Sequence, residues 1–126
     1  MLRRMAKSKI HGATVTMTVL HYEGSITLPA DLMELADILA GERVQIVNSA
    51  NGERFETYTI AGERGSETIC LNGPAARLAV VGDPVHIISY ALCDDDEARA
   101  LAVTTIKVDG QNRPVPSGEH PAPQET

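Results

Sequence analysis

The stretch Arg43-Val-Gln-Ile-Val47, followed by Asn51-Gly52 and then by Arg54-Phe-Glu-Thr-Tyr-Thr-Ile60, indicates the kind of fold that this chain adopts. Both arms are short and rich in β-branched and aromatic residues, which favour strands. Asn-Gly readily supplies the positive φ angles of a tight turn. The segment therefore predicts two short strands separated by a turn.

The same combination of short strand and turn recurs along most of the chain. Apolar and polar β-formers alternate within Thr14–Val19, a period of two that predicts a half-buried strand. Further short β-like segments are Thr68–Leu71, Val85–Tyr90 and Val103–Val108, with turns at Gly62–Gly65, Asn72–Pro74 and Gly82–Pro84. Many short strands at close spacing predict a mainly β chain that forms a small closed barrel.

One segment has the spacing of a helix. After Pro29, which suits a first helical turn, apolar residues recur at helical intervals: Leu32, Leu35, Ala36 and Leu39. Gly41 can adopt the left-handed conformation that ends a helix. We expect one clear helix between Pro29 and Gly41, and one or two short helices in all.

Composition limits the partners of the chain. Seventeen acidic and 11 basic residues among 126 give a net charge of −6, and the basic residues are scattered, which argues against nucleic acid. No apolar run approaches the roughly 20 residues of a membrane span, and no signal peptide is recognisable. Cys70 and Cys93 lack metal-site spacing and are expected to be buried, inert thiols. We therefore expect a cytoplasmic protein without a bound metal.

The two ends of the chain differ in character. Residues 1–109 are apolar enough to form one domain, whereas four of the seven prolines fall in the last 13 residues. We expect a mobile, Pro-rich tail over 110–126. The acidic run Asp94-Asp-Asp-Glu97 is interpreted as a solvated charged turn, because consecutive acceptors cannot converge on one ion without a dedicated loop.

Local strings carry more information than composition does. From Met1 to about Ala98 they occur in the order Lys7-Ser-Lys-Ile-His11, His21-Tyr-Glu-Gly-Ser25, Asn51-Gly-Glu-Arg-Phe-Glu-Thr-Tyr58, Glu63-Arg-Gly-Ser66 and Asn72-Gly-Pro-Ala-Ala76. Together they resemble the pyruvoyl-dependent aspartate 1-decarboxylases. The resemblance implies a double-ψ β-barrel, a homotetramer, and the conversion of L-aspartate to β-alanine and CO₂ for pantothenate synthesis.

The resemblance also implies self-cleavage between Gly24 and Ser25. A Gly before a Ser leaves its carbonyl unshielded, so the Ser25 hydroxyl can attack it and turn the amide into an ester. β-Elimination then frees residues 1–24, and hydrolysis leaves a pyruvoyl group at position 25. This covalent ketone replaces an external cofactor, since it forms a Schiff base with aspartate and takes up the electrons released with CO₂.

Alternation places Arg54 and Tyr58 on one face of a strand and Thr57 on the other. In the implied site, Arg54 and Lys9 hold a substrate carboxylate and Tyr58 returns a proton after CO₂ leaves. Thr57 polarises the Gly24 carbonyl during maturation and borders the substrate.

The string Asn72-Gly73-Pro74-Ala75 is expected to contact the pyruvoyl group and the substrate. Here the chain departs from the family, because Pro74 stands where a residue with an N–H is usual. Gly12 likewise replaces a commonly basic residue, and Arg77 a common His. His11 is assigned a structural hydrogen bond, and His21, His86 and His120 share no metal-like spacing.

Three alternatives stay open at this point. One is a non-enzymatic β-barrel binding or regulatory module, such as a swapped-hairpin transcription factor with a turn like Gly41-Glu-Arg-Val44, although such a protein needs a basic face. Another is a precursor that never cleaves, since some family members need an accessory protein for maturation. The third is a pyruvoyl decarboxylase for histidine, arginine or S-adenosylmethionine, which differs in length and in the string around Gly-Ser.

Overall fold

Strands dominate the computed structural model, which describes residues 1–116. In chain order the elements are β1 (Arg3–Thr14), β2 (Met17–Val19), β3 (Ser25–Pro29), α1 (Ala30–Leu35), β4 (Arg43–Asn48), β5 (Arg54–Gly62), β6 (Cys70–Asn72), a 3-10 helix (Gly73–Arg77), β7 (Pro84–Cys93), α2 (Asp95–Ala100) and β8 (Thr104–Lys107). The prediction of a mainly β chain with two short helices is confirmed. No helix within residues 1–116 has the length and hydropathy that crossing a membrane requires.

The strands form one mixed sheet in the order β2-β6-β3-β5-β4-β7-β1-β8. The pairs β2–β6, β3–β5 and β1–β8 are parallel, and the other neighbours are antiparallel. Ile10 of β1 and Leu71 of β6 join one core cluster although their strands lie far apart in this order, so the sheet curls around the core. The arrangement is consistent with a small β-barrel. The sequence predicts a closed barrel, whereas this sheet is open. Strands β2 and β8 form its two edges and do not pair with each other within the described residues.

Between β1 and β2 the chain moves from one part of the sheet to another. The Val15 N–H donates to the Asp83 carbonyl at 3.0 Å, and the Thr16 N–H donates to the Ile69 carbonyl at 2.9 Å. These bonds to separate segments interrupt the strand that alternation predicts over Thr14–Val19. The single-strand prediction is therefore wrong at residues 15 and 16.

The first helix is shorter than its sequence pattern predicts. α1 ends at Leu35, and Asp37, with φ 54°, makes the left-handed turn expected at Gly41. Leu32 is buried, but Leu39 is 72% exposed. The apolar spacing extends past the end of the helix, since Leu39 is apolar but lies in the turn that follows α1.

The acidic run at residues 94–97 starts α2 instead of forming a simple turn. The Asp94 side chain accepts from the Glu97 N–H at 2.8 Å, and the Glu97 carboxylate accepts from the Asp94 N–H at 3.0 Å. This capping box satisfies two backbone donors at the start of the helix. The predicted charged turn is thus corrected to a helix N-terminus.

Residues 110–116, which the sequence assigns to a tail, contact the sheet. Asn112 is buried, and its Nδ2 donates to the carbonyls of Thr14 at 2.9 Å and Glu67 at 2.8 Å. The Val115 N–H donates to the Lys107 carbonyl at 2.9 Å. A tail that begins at Gly110 therefore does not describe this segment. The rest of the predicted tail, 117–126, lies outside the described residues.

Candidate active site

Ser25 begins β3 and is fully buried. Its Oγ accepts from Asn72 Nδ2 at 3.0 Å and donates to the Glu23 carbonyl oxygen at 3.1 Å. Asn72 Nδ2 also donates to Thr27 Oγ1 at 3.1 Å. The hydroxyl is therefore fixed beside the Gly24–Ser25 peptide by neighbours on both sides.

The orientation of Asn72 is set by a third residue. Cys70 Sγ donates to Asn72 Oδ1 at 3.2 Å, which leaves the amide nitrogen to face Ser25. Burial raises the pKa of the Cys70 thiol, so the thiol stays protonated and can donate. Cys70 and Cys93 are both buried and form no disulfide, which confirms their predicted burial. In addition, the Cys70 thiol donates the hydrogen bond that orients Asn72.

Gly73 allows two backbone segments to lie unusually close together. It has φ 63°, and a Cβ at this position would lie 2.7 Å from the Gly24 nitrogen and 2.7 Å from the Tyr22 carbonyl oxygen. Those distances are shorter than real Cβ atoms tolerate. The backbone around the Gly24–Ser25 bond is therefore packed directly on Gly73.

Pro74 occupies a position that tolerates the loss of an N–H. It lies in the first turn of the 3-10 helix Gly73–Arg77, where a backbone N–H has no partner within the helix. Its Cδ lies 3.4 Å from where a Cβ on Gly24 would be. The proline ring thus packs beside the Gly24–Ser25 segment.

The two faces of β5 carry different residues. Arg54 pairs with Val47 and Tyr58 with Arg43, whereas Thr57 pairs with the buried Val44. Arg54 and Tyr58 therefore share the outer face of the sheet, and Thr57 lies on the inner face. The division between faces is the one that alternation predicts.

Thr57 lies near the start of the β3–β5 pairing. In this parallel pair Ile26 faces Thr59. The pairing begins at these two residues, so Thr57 lies two positions before the part of β5 that pairs with β3. Thr57 is half-buried there.

Tyr58 has a partner that sequence reasoning missed. Its hydroxyl donates to Glu23 Oε2 at 2.6 Å, and this hydrogen bond raises the pKa of Tyr58 above its ordinary value. The phenol therefore keeps its proton. Sequence patterns indicate no role for Glu23, because a contact between residues 35 positions apart leaves no local spacing signal.

The two predicted cations share the outer face but lie on separate strands. Arg54 is exposed and donates to Gln45 Oε1 at 2.9 Å. Lys9 is half-buried on β1 and pairs with Ile88 of β7. Because β4 and β7 lie between β5 and β1, the described residues show no direct contact between Lys9 and Arg54.

A cleft of about 330 Å³ lies on the same outer face. Its lining residues are Arg4, Arg43, Val44, Gln45, Glu56, Tyr90, Ala91 and Leu92. Ser25 and Tyr58 do not line it, so the cleft is separate from the Gly24–Ser25 segment. Within residues 1–116, no three His, Cys, Asp or Glu side chains are grouped as metal ligands.

The residues around Ser25 provide a distinct set of chemical groups. A buried hydroxyl lies next to a peptide bond that has glycine on its carbonyl side, and a protonated phenol lies on the neighbouring strand. The cations Arg54 and Lys9 lie farther along the outer face that carries this phenol. Such a set suits an acyl shift at one residue and proton return to an anionic substrate close by.

The chain is similar to known proteins over most of its length. The family model for aspartate decarboxylase matches residues 1–115. An aspartate 1-decarboxylase from Thermoanaerobacter pseudethanolicus is 59% identical over 115 residues, covering 91% of this chain and 98% of that protein. One from Pelotomaculum thermopropionicum is 58% identical over 113 residues, covering 90% and 86%. One from Chloroherpeton thalassium is 53% identical over 122 residues, covering 94% and 90%.

Proposed function

The chain belongs to the aspartate decarboxylase family, and on that basis we propose that it is an aspartate 1-decarboxylase, which converts L-aspartate to β-alanine and CO₂. The observation that carries this proposal is the buried Ser25 hydroxyl, held by Asn72 beside the Gly24–Ser25 peptide bond. The arrangement supports self-cleavage at this bond.

The proposed cleavage begins at Ser25. Its Oγ attacks the Gly24 carbonyl carbon, the C–N bond breaks, and the nitrogen of residue 25 takes up the proton, leaving an ester. Loss of the Ser25 α-proton and of the Gly24 carboxylate then releases residues 1–24 and leaves dehydroalanine. Addition of water and loss of ammonia produce the pyruvoyl group. Thr57, two residues before the part of β5 that pairs with β3, would donate to the carbonyl oxygen as charge develops there.

The residues present fit a pyruvoyl group at position 25. The close approach of Gly73 leaves no room for a larger residue there, and Asn72 offers an amide donor that now meets Ser25 Oγ. Asn72, Gly73 and Ala75 would hold the group, while Pro74 would contribute packing without an N–H. When present, the pyruvoyl group supplies a ketone that binds the substrate amine covalently and takes up the electron pair that stays on the substrate carbon when CO₂ leaves.

The outer face of the sheet supplies the remaining roles. Tyr58 holds a proton because its pKa is raised by the Glu23 hydrogen bond, so it can return that proton to the carbon that loses CO₂. Arg54 and Lys9 provide the positive charge that binds the second carboxylate of aspartate. Thr57 borders the substrate from the inner face.

We also propose that the enzyme acts as a cytoplasmic homotetramer and supplies β-alanine for pantothenate synthesis, as the family resemblance implies. Large apolar side chains that assembly could cover are exposed, among them Leu39, Val80 and Leu92. Some family members mature with an accessory protein, and comparing cleavage before and after purification tests that need here. Sedimentation analysis at several protein concentrations tests the tetramer.

The activity is tested by CO₂ release from aspartate, asparagine and glutamate. We expect fast release from aspartate, because it has one carboxylate to lose and one to bind. Asparagine lacks the second charge, and glutamate moves Cα away from position 25 by one methylene, so both should react slowly. Equal rates with aspartate and asparagine would contradict the assignment, even in a fully cleaved sample.

A further inference from the structure

Strand β1 has an extra residue opposite β7 at two places, and the second of these lies between Ile10 and Ala13. His11 and Gly12 together face the single residue His86. The ladder pairs on either side are Ile10 with Ile87 and Ala13 with Val85. A β-bulge is required here because residues 10 and 13 are both buried, which an uninterrupted strand with a period of two cannot achieve. Gly12 accommodates the bulge with φ 78°.

His86 closes this bulge through its ring nitrogens. The Gly12 N–H, which the bulge removes from the ladder, donates to His86 Nδ1 at 3.0 Å. The other nitrogen, Nε2, lies 3.1 Å from Ser49 Oγ. Since Nδ1 accepts a hydrogen bond, the ring proton lies on Nε2, which then donates to Ser49.

The His86 ring also stacks on His11. The ring centroids are 4.2 Å apart and the planes differ by 27°. Within residues 1–116, the charged side chains that lower the pKa values of the pair are basic: Lys9 from β1 for both rings, and Lys107 from β8 for His11. Burial, with help from His11 and Lys9, lowers the pKa of His86 to about 4. His86 is therefore uncharged at neutral pH, and the stack adds no positive charge of its own.

The His11–His86 cluster lies on the outer face of the sheet, in the same row as Arg54. Arg54 pairs with Val47, and Val47 pairs in turn with His86, so the three share the outer face in one row. Lys9 precedes His11 by two residues and points to the same face. His86 lies on β7, which is flanked by β1, the strand of Lys9, and by β4, which pairs with the β5 strand of Arg54.

We propose that His86 is a positioning residue, which as the neutral Nε2–H tautomer holds the β1 bulge and the His11 ring so that Lys9 stays on the face that carries Arg54. The inference rests on the proposed function, since that function assigns Lys9 to the substrate carboxylate. It predicts that His86 acts on aspartate binding through Lys9 and leaves the chemistry at Ser25 intact.

A double-mutant cycle tests this role. In cleaved full-length protein, His86→Leu should raise KM for aspartate about three- to tenfold and change kcat per cleaved chain by less than about twofold. This increase in KM is smaller than the roughly ten- to hundredfold increase expected for losing a charge-assisted contact. In a Lys9→Ala background the same change should add nothing. His86→Asn keeps an acceptor for the Gly12 N–H and should restore most of the KM. Val85→Ala, the neighbouring residue on the inner face of β7, is the control for lost packing beside the bulge.

Additive effects of His86→Leu and Lys9→Ala, or an unchanged KM in His86→Leu, would overturn the proposal. Because a leucine variant can fail to fold, the ring of His86 is also observed in the wild-type chain by ¹⁵N NMR. A proton on Nε2 down to about pH 4 supports the proposal, and a proton on Nδ1 at neutral pH overturns it. The NMR result does not depend on turnover, whereas absence of CO₂ release by the cleaved wild type refutes the proposed function separately.

Discussion

The chain contains two Gly-Ser dipeptides, and their surroundings differ completely. Ser25 is fully buried and bonded to Asn72 and to the Glu23 carbonyl. Ser66 is half-exposed, and among residues 1–116 its Oγ accepts only one long contact, of 3.4 Å, from the Thr68 N–H. The same two residues therefore form a candidate reaction site at one position and an ordinary turn at the other.

The neighbours of each dipeptide explain the difference. Gly24 lies against Gly73 of a distant segment, so its backbone is packed from outside. Gly65 adopts φ 78° in open space and donates its N–H to Asp31 at 2.8 Å. The surroundings of a Gly-Ser bond thus depend on which distant segment packs against it. The first two predictions below change residues next to Gly24–Ser25, and the next two change residues farther along the outer face.

The largest effect is expected from Tyr58→Phe. This variant should cleave normally yet lose β-alanine formation by about 10²–10⁴-fold, the usual contribution of general acid catalysis. Thr57→Val should show the opposite pattern, with slow cleavage. Tyr90→Phe is the control for loss of a phenol hydroxyl, and because Gln45 accepts from both Tyr90 and Arg54, this variant should alter aspartate binding at most and leave kcat unchanged. A Tyr58→Phe enzyme that keeps more than half its activity would remove Tyr58 from the mechanism.

Gly73→Ala should slow cleavage by about 100-fold, because a misplacement of about 1 Å at a reacting group can cost that much. The new Cβ would lie 2.7 Å from the Gly24 nitrogen, so one segment has to shift. Gly41→Ala shares the positive φ of 84° but meets nothing within 4 Å, which makes it the control for backbone strain. Both rates can be followed by mass spectrometry. Equal cleavage in the two variants would show that the close approach is unimportant.

Arg54→Ala should reduce kcat/KM for aspartate by roughly ten- to a hundredfold, the value of one charge-assisted hydrogen bond, and affect neutral analogues much less. Arg64→Ala is the matched change near the second dipeptide, where Arg64 forms an exposed ion pair with Glu34. That pair should matter little. Similar losses for aspartate and asparagine in Arg54→Ala would indicate that Arg54 does not recognise the carboxylate.

The smallest effect concerns stability against pH. His86 has a folded-state pKa of about 4, below its ordinary 6.5, so between these values the unfolded chain binds more protons. The contribution of His86 is therefore complete above about pH 6.5 and decreases as the pH falls toward 4. Denaturant unfolding of wild type and His86→Asn should show a shallower pH dependence in the variant over this window. Parallel curves would contradict the assigned shift.

Sequence patterns predicted what depends on neighbours along the chain. The strand alternation of β5 assigned Arg54, Thr57 and Tyr58 to faces that the register reproduces. Patterns failed where a distant segment decides the outcome. The Glu23 contact with Tyr58 joins residues 35 positions apart, and the contact of His86 with Gly12 joins residues 74 positions apart, so no local spacing encodes them.

Local signals were also present but misinterpreted in two places. Asp94 and Glu97 have the spacing of a capping box, a signal that could have identified α2. The apolar spacing after Pro29 overextended α1, because Leu39 is apolar and yet exposed. Periodicity reports which residues are apolar, while burial depends on where the chain turns, here at Asp37.

The central claim, that burial and crossing contacts make Gly24–Ser25 the reactive bond, is tested most directly by denaturing intact-mass spectrometry of wild type, Ser25→Ala and Ser66→Ala. The account predicts a fragment of residues 1–24 and a ketone-bearing fragment that starts at position 25 in wild type and in Ser66→Ala, with a single uncut chain in Ser25→Ala. A wild-type chain that stays uncut after prolonged warming, or cleavage that persists in Ser25→Ala and disappears in Ser66→Ala, would contradict it.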